Sequence, residues 1–393
     1  MRVLVAPDSF KGSLTAAQVA ASIELGLKRV RPDMEVIKVP IADGGEGTVE
    51  ALVAATNGRV KEAVVTGPMG KPVTAVYGLS ADKGTGFIEM AAASGLPLVP
   101  ADRRNPMMTN TYGTGELIRA VLDCGCRRIT MGIGGSATVD GGLGMAQALG
   151  ALFYDNDGRL LGLGGKELTR LASIDLTAMD ARLRDVDLVV ACDVTNPLYG
   201  PNGAACVYGP QKGATPDMVV ELDRGLGNLA SLVEKQLGLD VCNLPGAGAA
   251  GGLGAALVAF CGARLARGID MVIEVCRLRE IMPGVDLVIT GEGRTDYQTV
   301  HGKAPIGIAA LAKEFHRPVV CLSGSLGPGF AKVYEHGINA AFSIVPGPVT
   351  LEEAMSGAAE YLADCAESLL RLFTLGMGIR ARGLPPLTGF RDA

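Results

Sequence analysis

The chain has 393 residues, of which 55 are glycine and 48% are hydrophobic, and its formal net charge is −5. This composition excludes a disordered or coiled-coil chain and favours a compact, loop-rich α/β enzyme of two or three domains. The absence of a basic block in the sequence argues against nucleic acid as the main partner. Nine cysteines without a CxxC motif, with only three histidines, argue against a zinc site and fit reduced thiols in the cytoplasm.

The sequence also predicts no targeting or membrane segment. The N-terminal residues turn polar too early for a signal peptide. The longest uncharged run, residues 241–263, contains Asn243 and Pro245 and is dominated by glycine and alanine. We interpret this run as a loop and helix, and we expect a cytoplasmic protein.

The N-terminal residues predict a β-α-β unit, which is the start of a parallel sheet. Residues 2–6 form a short apolar strand, and residues 14–27 place apolar side chains on one helical face,. Ser13 or Thr15 lies near the start of this helix and can cap it. Residues 35–39 form the next strand, so the sequence predicts two neighbouring parallel strands.

Polar residues directly follow both of these strands. Asp8, Ser9 and Lys11 come after the first strand, and Asp43 comes after the second. Ligands of open parallel sheets gather at the carboxyl ends of the strands. Helix capping explains either loop alone, but the two acidic loops together favour a binding site.

The pattern changes near residue 60. Residues 60–65, 72–79 and 86–90 read as short alternating strands separated by Gly/Pro turns,. This pattern is typical of a more antiparallel unit, so we place a domain boundary near residue 60.

The stretch of residues 130–144 is the main candidate for binding phosphate. A strand leads into it, good helix formers follow from Met145, and glycines fill the turn between them,. Such a turn lets backbone N–H groups converge on a ligand, and a helix N-terminus attracts anions. A close-packed turn is the alternative interpretation. The predicted nucleotide-binding residues are Gly134, Gly135, Ser136, Thr138, Asp140, Gly141 and Gly142.

Asp193 follows the apolar strand of residues 187–192, and this placement suits metal or hydroxyl binding,. An Asx turn before Pro197 is the alternative. Residues 246–251 formally match GxGxxG, but a proline-containing segment precedes them instead of a strand. We therefore reject dinucleotide binding there and expect a close-packed helix N-terminus. The P-loop sequence GxxxxGK[ST] does not occur in the chain.

The C-terminal third returns to the parallel pattern. A strong strand at residues 285–290 runs into Glu292, Arg294 and Asp296, and alternating helices and strands continue to a last helix at residues 351–372. We predict an α/β fold of two domains, in which an inserted mixed α/β domain splits a Rossmann-like parallel-sheet domain in sequence. The predicted domains are residues 1–60 with 281–372 (Rossmann-like), residues 61–280 (inserted, with the Gly-rich loop) and residues 373–393 (mobile tail).

These strand-end residues have the types that phosphoryl transfer needs: donors around the phosphates, carboxylates for a divalent metal, and a positioned acceptor. The candidate carboxylates are Asp8, Asp43, Asp140, Asp193, Glu292 and Asp296. Lys11, Arg294 and Lys303 are candidate cations. Arg294 suits a substrate carboxylate because its planar guanidinium pairs with two oxygens.

The order of these segments resembles the type-1 glycerate kinases over roughly residues 1–372. The segments that carry the resemblance are Asp8-Ser-Phe-Lys-Gly-Ser13, Ala42-Asp-Gly-Gly-Glu-Gly-Thr48, Tyr112-Gly-Thr-Gly-Glu116, Gly132-Ile-Gly-Gly-Ser-Ala-Thr138, Asp140-Gly-Gly142, Gly291-Glu-Gly-Arg294 and Gly302-Lys-Ala-Pro305. The resemblance implies ATP-dependent phosphorylation of glycerate, usually to 2-phosphoglycerate, with Mg²⁺. It also implies a two-domain α/β architecture with the site in a cleft. One position differs, because the family usually has Asn where this chain has Val139.

From these residues and the resemblance we assign expected roles. ATP phosphates lie on the Gly-rich loop, with Mg²⁺ held by one or two carboxylates and glycerate held near Lys11 or Arg294. The expected catalytic residues are Asp193, Lys11, Asp43 and Glu292. The expected substrate-binding residues are Asp8, Ser9, Arg294 and Asp296. The expected metal ligands are Asp43, Asp193 and Asp140.

The expected partners are D-glycerate and ATP, without nucleic acid or membrane, and a homodimer is the candidate assembly. Transfer to the 3-hydroxyl, as in a glycerate 3-kinase, is the alternative within kinases. A non-catalytic protein that binds a small sugar acid and a dehydrogenase that uses residues 246–251 are the alternatives outside them.

Overall fold

The computed structural model describes residues 1–41, 47–300 and 302–381, with side chains as far as residue 375. Within these residues no helix combines the length and the hydropathy needed to cross a membrane. Strands and helices alternate over most of the chain, and the predicted α/β class is confirmed.

The described strands are β1 (Arg2–Val5), β2 (Glu35–Lys38), β3 (Arg59–Thr66), β4 (Pro72–Leu79), β5 (Thr85–Glu89), β6 (Arg128–Gly132), β7 (Leu152–Tyr154), β8 (Ser173–Asp175), β9 (Asp187–Ala191), β10 (Arg264–Ala266), β11 (Leu287–Thr295), β12 (Val319–Leu326) and β13 (Ala340–Ser343). The described helices are α1 (Ala16–Val30), α2 (Thr48–Ala55), α3 (Ala91–Ser94), α4 (Tyr112–Asp123), α5 (Leu143–Ala148), α6 (Ala204–Tyr208), α7 (Pro216–Leu237), α8 (Ala249–Cys261), α9 (Gly268–Val275), α10 (Leu278–Ile281), α11 (Ala304–Glu314), α12 (Leu351–Ser356) and α13 (Ala358–Ala381).

One compact unit comprises Met1–Ile41 and Arg277–Ala393. Its five strands are all parallel, in the order β13-β12-β11-β1-β2. Thr15 caps α1 in a capping box with Gln18, and the apolar face of α1 shares a core with β1, β11 and α13,. A Cβ on Gly26 would lie 2.0 Å from the carbonyl oxygen of Ala363, so only glycine allows α1 and α13 to cross this closely.

The other unit comprises Ala42–Cys276 and is built on a six-stranded sheet in the order β10-β9-β6-β5-β4-β3. The strands β10, β9, β6 and β5 are parallel, and β4 and β3 are antiparallel additions at one edge. The short alternating strands predicted after residue 60 are therefore present, within a mixed sheet. Apolar residues of α4, α5, α7 and α8 supply much of the core of this unit.

The predicted domain boundaries differ from this division. The helix α2 packs against β3, β4 and β5, and the carboxylate of Glu89 accepts a hydrogen bond of 2.8 Å from Val49 N. The boundary therefore follows Ile41 instead of residue 60, and the second boundary follows Cys276 instead of residue 280. The pattern of α2 indicates a helix but cannot indicate which sheet it covers.

The C-terminal helix also differs from the prediction. Residues 351–372 form two helices, α12 and α13, with Gly357 between them. The helix α13 continues to Ala381, so the tail predicted from residue 373 begins inside a helix. Residues 382–393 lie outside the described residues.

Candidate active site

In the mixed-sheet unit, the carboxyl ends of the parallel strands are aligned. Gly132 at the end of β6 pairs with Glu89 of β5 on one side and with Ala191 of β9 on the other. The loops that leave β6 and β9 therefore start from one edge of one sheet, where ligands of parallel sheets bind. The predicted Gly-rich loop and Asp193 are the residues that follow these two strands.

The first half of the Gly-rich loop is accessible. Gly134 and Gly135 are exposed, and Ser136 is 8% exposed. Gly135 has a φ of +74°, a conformation that glycine adopts without strain,. Its carbonyl accepts a hydrogen bond of 2.8 Å from Leu96 N, which anchors the turn. We define Gly134, Gly135 and Ser136 as the exposed turn.

The second half of the loop is buried and packed. Thr138 is fully buried, and Gly141 and Gly142 have φ values of +59° and +72°. A Cβ on Gly142 would lie 2.3 Å from the Cβ of Ala256 in α8. The second half of the loop is therefore a close-packed turn. For Thr138, Gly141 and Gly142 to contact a nucleotide as predicted, the core around them would have to rearrange.

Asp140 lies at the centre of this buried half and is fully buried. Its Oδ2 accepts hydrogen bonds from Thr111 N and Thr111 Oγ1, both at 2.8 Å, and from Gly144 N at 3.3 Å, while its Oδ1 accepts from Gly142 N at 3.2 Å. Burial raises the pKa of Asp140, and these hydrogen bonds oppose that rise,.

These hydrogen bonds change the interpretation of the helix that follows. The helix α5 has six residues, and Asp140 accepts from N–H groups at its start. Such groups bind phosphate only when they are open to a ligand. Asp140 thus caps α5 and ties it to Thr111 at the start of α4, and the N–H groups of Gly142 and Gly144 already have Asp140 as their acceptor.

The GxGxxG segment packs against the same buried turn. Gly141 N donates to Gly251 O at 3.0 Å, and a Cβ on Gly251 would lie 2.0 Å from Thr138 O. Ala250, Gly251 and Gly252 have left-handed backbone conformations inside α8. The segment is a close-packed helix N-terminus, as the sequence predicts.

Asp193 is exposed, two residues after the end of β9. Its Oδ1 accepts a hydrogen bond of 3.0 Å from Gly268 N, the first residue of α9. The nearby Asp193 carboxylate also contributes to raising the pKa of Arg267, whose larger cause is the hydrogen bond to Asp270. Asp193 is therefore an accessible carboxylate at the same sheet edge as the exposed turn.

Lys212 is a residue that the sequence analysis missed. It ends a 3₁₀ turn, Pro210–Lys212, and is 2% exposed. Its Nζ donates to Ser136 Oγ at 2.6 Å and to Thr138 O at 2.7 Å. The glycines and proline around Lys212 indicate a turn, and nothing in that local pattern indicates a buried lysine.

In the parallel-sheet unit, the loop after β1 lies beside the middle of β11. Asp8 N donates to Gly291 O at 2.8 Å, and Ser9 N donates to Asp8 Oδ1 at 2.6 Å. A Cβ on Gly293 would lie 3.5 Å from Lys11 N, which is ordinary van der Waals contact, so the loop passes directly beside this residue. The strand β11 continues to Thr295, beyond the predicted end at residue 290.

Glu292 is 5% exposed and is the centre of a buried polar cluster. Its Oε1 accepts from Thr299 Oγ1 at 2.6 Å and from Thr295 Oγ1 at 3.0 Å, and its Oε2 accepts from Lys303 Nζ at 3.2 Å. Thr295 Oγ1 also lies 2.7 Å from Ser323 Oγ on β12. The structure thus brings together Glu292 and Lys303, both selected from the sequence, with three hydroxyl groups that were not.

Arg294 and Asp296 form an ion pair next to this cluster. Arg294 Nε lies 3.3 Å from Asp296 Oδ2, and the Arg294 side chain is 61% exposed. Asp296 is 8% exposed, and its Oδ1 accepts from Gln298 N at 2.9 Å. Lys11 is exposed. Arg294 and Lys11 are therefore exposed cations of this unit's predicted site, whereas Lys303 is paired with Glu292.

The structure describes two of the three predicted metal ligands, Asp140 and Asp193. Asp43 lies outside the described residues. Among the residues that the structure describes, no three His, Cys, Asp or Glu side chains converge as a metal site. Asp140 has its oxygens engaged within the core, which leaves Asp193 as the accessible carboxylate among the predicted ligands that are described.

Comparison with known proteins identifies full-length similarity. The model of the glycerate kinase family matches residues 3–374. The chain is 56% identical to a glycerate kinase of Bacillus subtilis (strain 168), covering 94% of this chain and 97% of that one. It is 51% identical to the glycerate 2-kinase of Escherichia coli (strain K12), covering 96% and 99% of the two chains. A crystal structure from Salmonella typhimurium LT2, described as a glycerate kinase 2, superposes with a TM-score of 0.89 at 50% identity, covering 96% of this chain and 99% of that chain.

Proposed function

The chain belongs to the glycerate kinase family, and we propose that it transfers the γ-phosphoryl group of ATP to a hydroxyl group of D-glycerate. The observation that carries this proposal is the match to residues 3–374, which include both groups of polar residues described above. Phosphoryl transfer depends mainly on positioning and charge stabilisation. Both can be provided by a glycine turn, exposed cations and strand-end carboxylates.

We propose the 2-hydroxyl as the acceptor. The Escherichia coli relative, at 51% identity over 377 residues, is named a glycerate 2-kinase. Transfer to the 3-hydroxyl uses the same chemistry on the neighbouring carbon, so it remains the alternative that the product analysis below distinguishes.

The residues divide by chemistry. In the proposed complex, N–H groups of the exposed turn and the Ser136 hydroxyl donate to ATP phosphates. Arg294 or Lys11 pairs with the glycerate carboxylate, because both are accessible cations,. Asp8 and Ser9 lie in the loop that runs beside Glu292 and are proposed to contact the substrate hydroxyls.

Mg²⁺ is the divalent cation that this donor set fits. Mg²⁺ in phosphotransferases is held by one or two carboxylates together with substrate phosphates, without a dedicated protein cage. The exposed carboxylate of Asp193 at the edge that carries the exposed turn satisfies that requirement. We propose Asp193 and Asp43 as the ligands, and when bound the ion would neutralise phosphate charge. We leave out Asp140, whose oxygens already accept four hydrogen bonds.

Glu292 is proposed to act from within its cluster. The hydroxyls of Thr295 and Thr299 occupy Oε1, and the Lys303 ammonium shares Oε2. A carboxylate held in this way has a fixed orientation within β11, which suits it to position an acceptor hydroxyl. As an alternative to its role as a metal ligand, Asp193 is our candidate for the carboxylate that orients or deprotonates the acceptor hydroxyl of glycerate.

The test is incubation of the protein with ATP, Mg²⁺ and D-glycerate, followed by proton-coupled phosphorus NMR. A phosphate on C2 couples to one carbon-bound proton and gives a doublet, whereas a phosphate on C3 couples to two and gives a triplet. We expect the doublet, together with ADP. A triplet would identify a 3-kinase. ATP left intact beside glycerate that binds would support the non-catalytic binding protein.

A further inference from the structure

Lys212 is held by the Gly-rich loop, yet none of the roles above uses it. Its ammonium group is buried, and the two acceptors within hydrogen-bond distance, Ser136 Oγ and Thr138 O, belong to that loop. Removing an ammonium group from water is unfavourable unless hydrogen bonds and charges compensate. A buried lysine in this position therefore needs an explanation.

Holding the loop in place is not a sufficient explanation. Neutral groups already anchor it: Leu96 N donates to Gly135 O at 2.8 Å, Ala137 N donates to Ser94 O at 2.9 Å, and Thr109 Oγ1 donates to Ala137 O at 2.8 Å. Hydrogen bonds between neutral groups stabilise a loop without burying a charge. What Lys212 adds is a cation that contacts the side chain of Ser136 in addition to the carbonyl oxygen of Thr138.

That contact determines what the Ser136 hydroxyl can do. An ammonium group has three donors and no acceptor, and a hydroxyl has one donor and two acceptor lone pairs. When Ser136 Oγ accepts from Lys212 Nζ, its own hydrogen must point to another acceptor. Ser136 is 8% exposed and directly follows the exposed Gly135, so an anion bound at the turn is the acceptor that this hydrogen can reach.

We propose that Lys212 is a positioning residue for the nucleotide: it holds Ser136 so that the Ser136 hydroxyl donates to a phosphate oxygen of ATP at the exposed turn. Lys212 itself does not touch the nucleotide, and it acts through Ser136. This inference rests on the proposed function, because it assigns a ligand to the turn that the proposed kinase would use.

The ionisation of Lys212 supplies a readout that loop packing alone would not change. Burial lowers the pKa of Lys212 to about 7, and the charge of Asp140 opposes this effect. The neighbouring residue Gly213 packs against the carbonyl and Cβ of Arg104, which places a second charged residue near this turn. A neutral amine can accept the Ser136 hydrogen, so the donor is lost to the nucleotide as pH rises through about 7,.

The experiment uses the full chain and measures steady-state kinetics for ATP and for D-glycerate between pH 6 and 9. The variants are K212M, S136A, the double variant K212M/S136A, and the control T109V, which removes a neutral hydrogen bond to the same loop. We expect K212M and S136A each to raise the KM for ATP about tenfold or more, which corresponds to loss of one charge-assisted hydrogen bond. The KM for glycerate should change little, and T109V should resemble the wild type in both constants.

Two further results follow if Lys212 acts through Ser136. The double variant should be no worse than the worse single variant, because both changes remove one interaction. The alkaline fall in kcat/KM for ATP should be present in the wild type and absent in S136A, even though S136A retains Lys212. The S136A measurement keeps the test decisive if K212M does not fold.

Multiplicative effects of K212M and S136A would overturn the inference, and so would an alkaline fall that persists in S136A. Equal losses in K212M and T109V would also overturn it, because they would show a general loop effect. An inactive wild-type protein would instead contradict the proposed function, so the two failures are distinguishable.

Discussion

Asp140 and Asp193 are both aspartates that sequence reasoning selects as metal ligands, but the fold surrounds them differently. Asp140 accepts four hydrogen bonds and has no exposed surface, whereas Asp193 is exposed and accepts a hydrogen bond from Gly268 N. With these donors, Asp140 stabilises the connection between α4 and α5,. An exposed carboxylate at a sheet edge is available to a ligand.

Asp193→Asn should therefore separate activity from stability. The amide oxygen can still accept from Gly268 N, so we expect the free energy of unfolding to fall by no more than about 1 kcal/mol, the usual range for a charge near a helix N-terminus. We expect kcat to fall about 100-fold or more, as for a lost catalytic carboxylate. Urea unfolding and a coupled ADP assay measure the two effects.

The control for this variant is Asp187→Asn, the same change at the opposite end of β9. Asp187 is exposed and pairs with Arg128, so its replacement should alter neither quantity appreciably,. Turnover of the Asp193 variant close to that of the control would remove Asp193 from the catalytic role.

Val139 occupies the position where the family resemblance leads one to expect Asn. It is fully buried among the apolar residues of the mixed-sheet unit. This location indicates that the valine packs in the core. We therefore expect the difference from the family pattern to affect stability more than specificity.

Val139→Asn should lower the free energy of unfolding by about 1–3 kcal/mol, because it buries an amide without a prepared partner. The KM for ATP should stay within about twofold of the wild type. A tenfold change would need about 1.4 kcal/mol of binding free energy, and we expect a residue packed in the core to contribute much less than that to ATP binding. Val190→Asn, at another fully buried valine of the same core, is the matched control for destabilisation. A large fall in the KM for ATP in the Val139 variant alone would show that this position does act on the nucleotide.

At the scale of elements, the start of α8 shows how a familiar motif can be structural. Its left-handed residues receive the buried half of the Gly-rich loop, with Gly141 N bonded to Gly251 O. The motif has the glycines of a dinucleotide site without the preceding strand. Here the glycines allow two backbone segments to approach, as in any close packing of loops.

Gly251→Ala tests this packing. The left-handed backbone alone costs an alanine about 1–2 kcal/mol, and contact with Thr138 O adds to that cost at this position. Gly262→Ala is the control, because Gly262 has a similar φ of +67° but open space around a Cβ. We expect the Gly251 variant to lose about 2 kcal/mol more than the control in urea unfolding. Equal losses would show that the approach of the two segments is not tight.

At the scale of the whole molecule, two units with separate cores each carry strand-end polar residues. The parallel-sheet unit holds the Glu292 cluster, and the mixed-sheet unit holds the exposed turn with Asp193. Residues far apart in sequence assemble each group: Lys212 joins Ser136, and Asp8 joins Gly291.

Hydrogen exchange can test the assignment of ligands to units. A non-hydrolysable ATP analogue with Mg²⁺ should slow amide exchange most in the exposed turn and around Lys212. D-Glycerate should slow it most in residues 8–11 and 291–299. Bound ligands reduce local opening, so protection reports where each one binds. Protection of residues 246–251 by NADH, in place of these patterns, would favour the dehydrogenase alternative.

The sequence by itself determined the elements and the chemical class. Periodicity identified α1, β1 and β11, and turn chemistry identified the loops after β1 and β9 in which Asp8 and Asp193 lie. The ordered segments also indicated the family. These are local or linear properties, because helix and strand periods and motif order are visible in neighbouring residues.

Only the tertiary structure decided which polar residues are exposed and which are buried. The same glycine-rich loop contains the accessible Gly134 and the fully buried Asp140. The sequence pattern predicts nucleotide binding for both and does not indicate which of them is buried. Lys212 approaches Ser136 from a distant turn, and α2 packs on the sheet that follows it. Burial and long-range pairing depend on how separate elements pack, which no local pattern specifies.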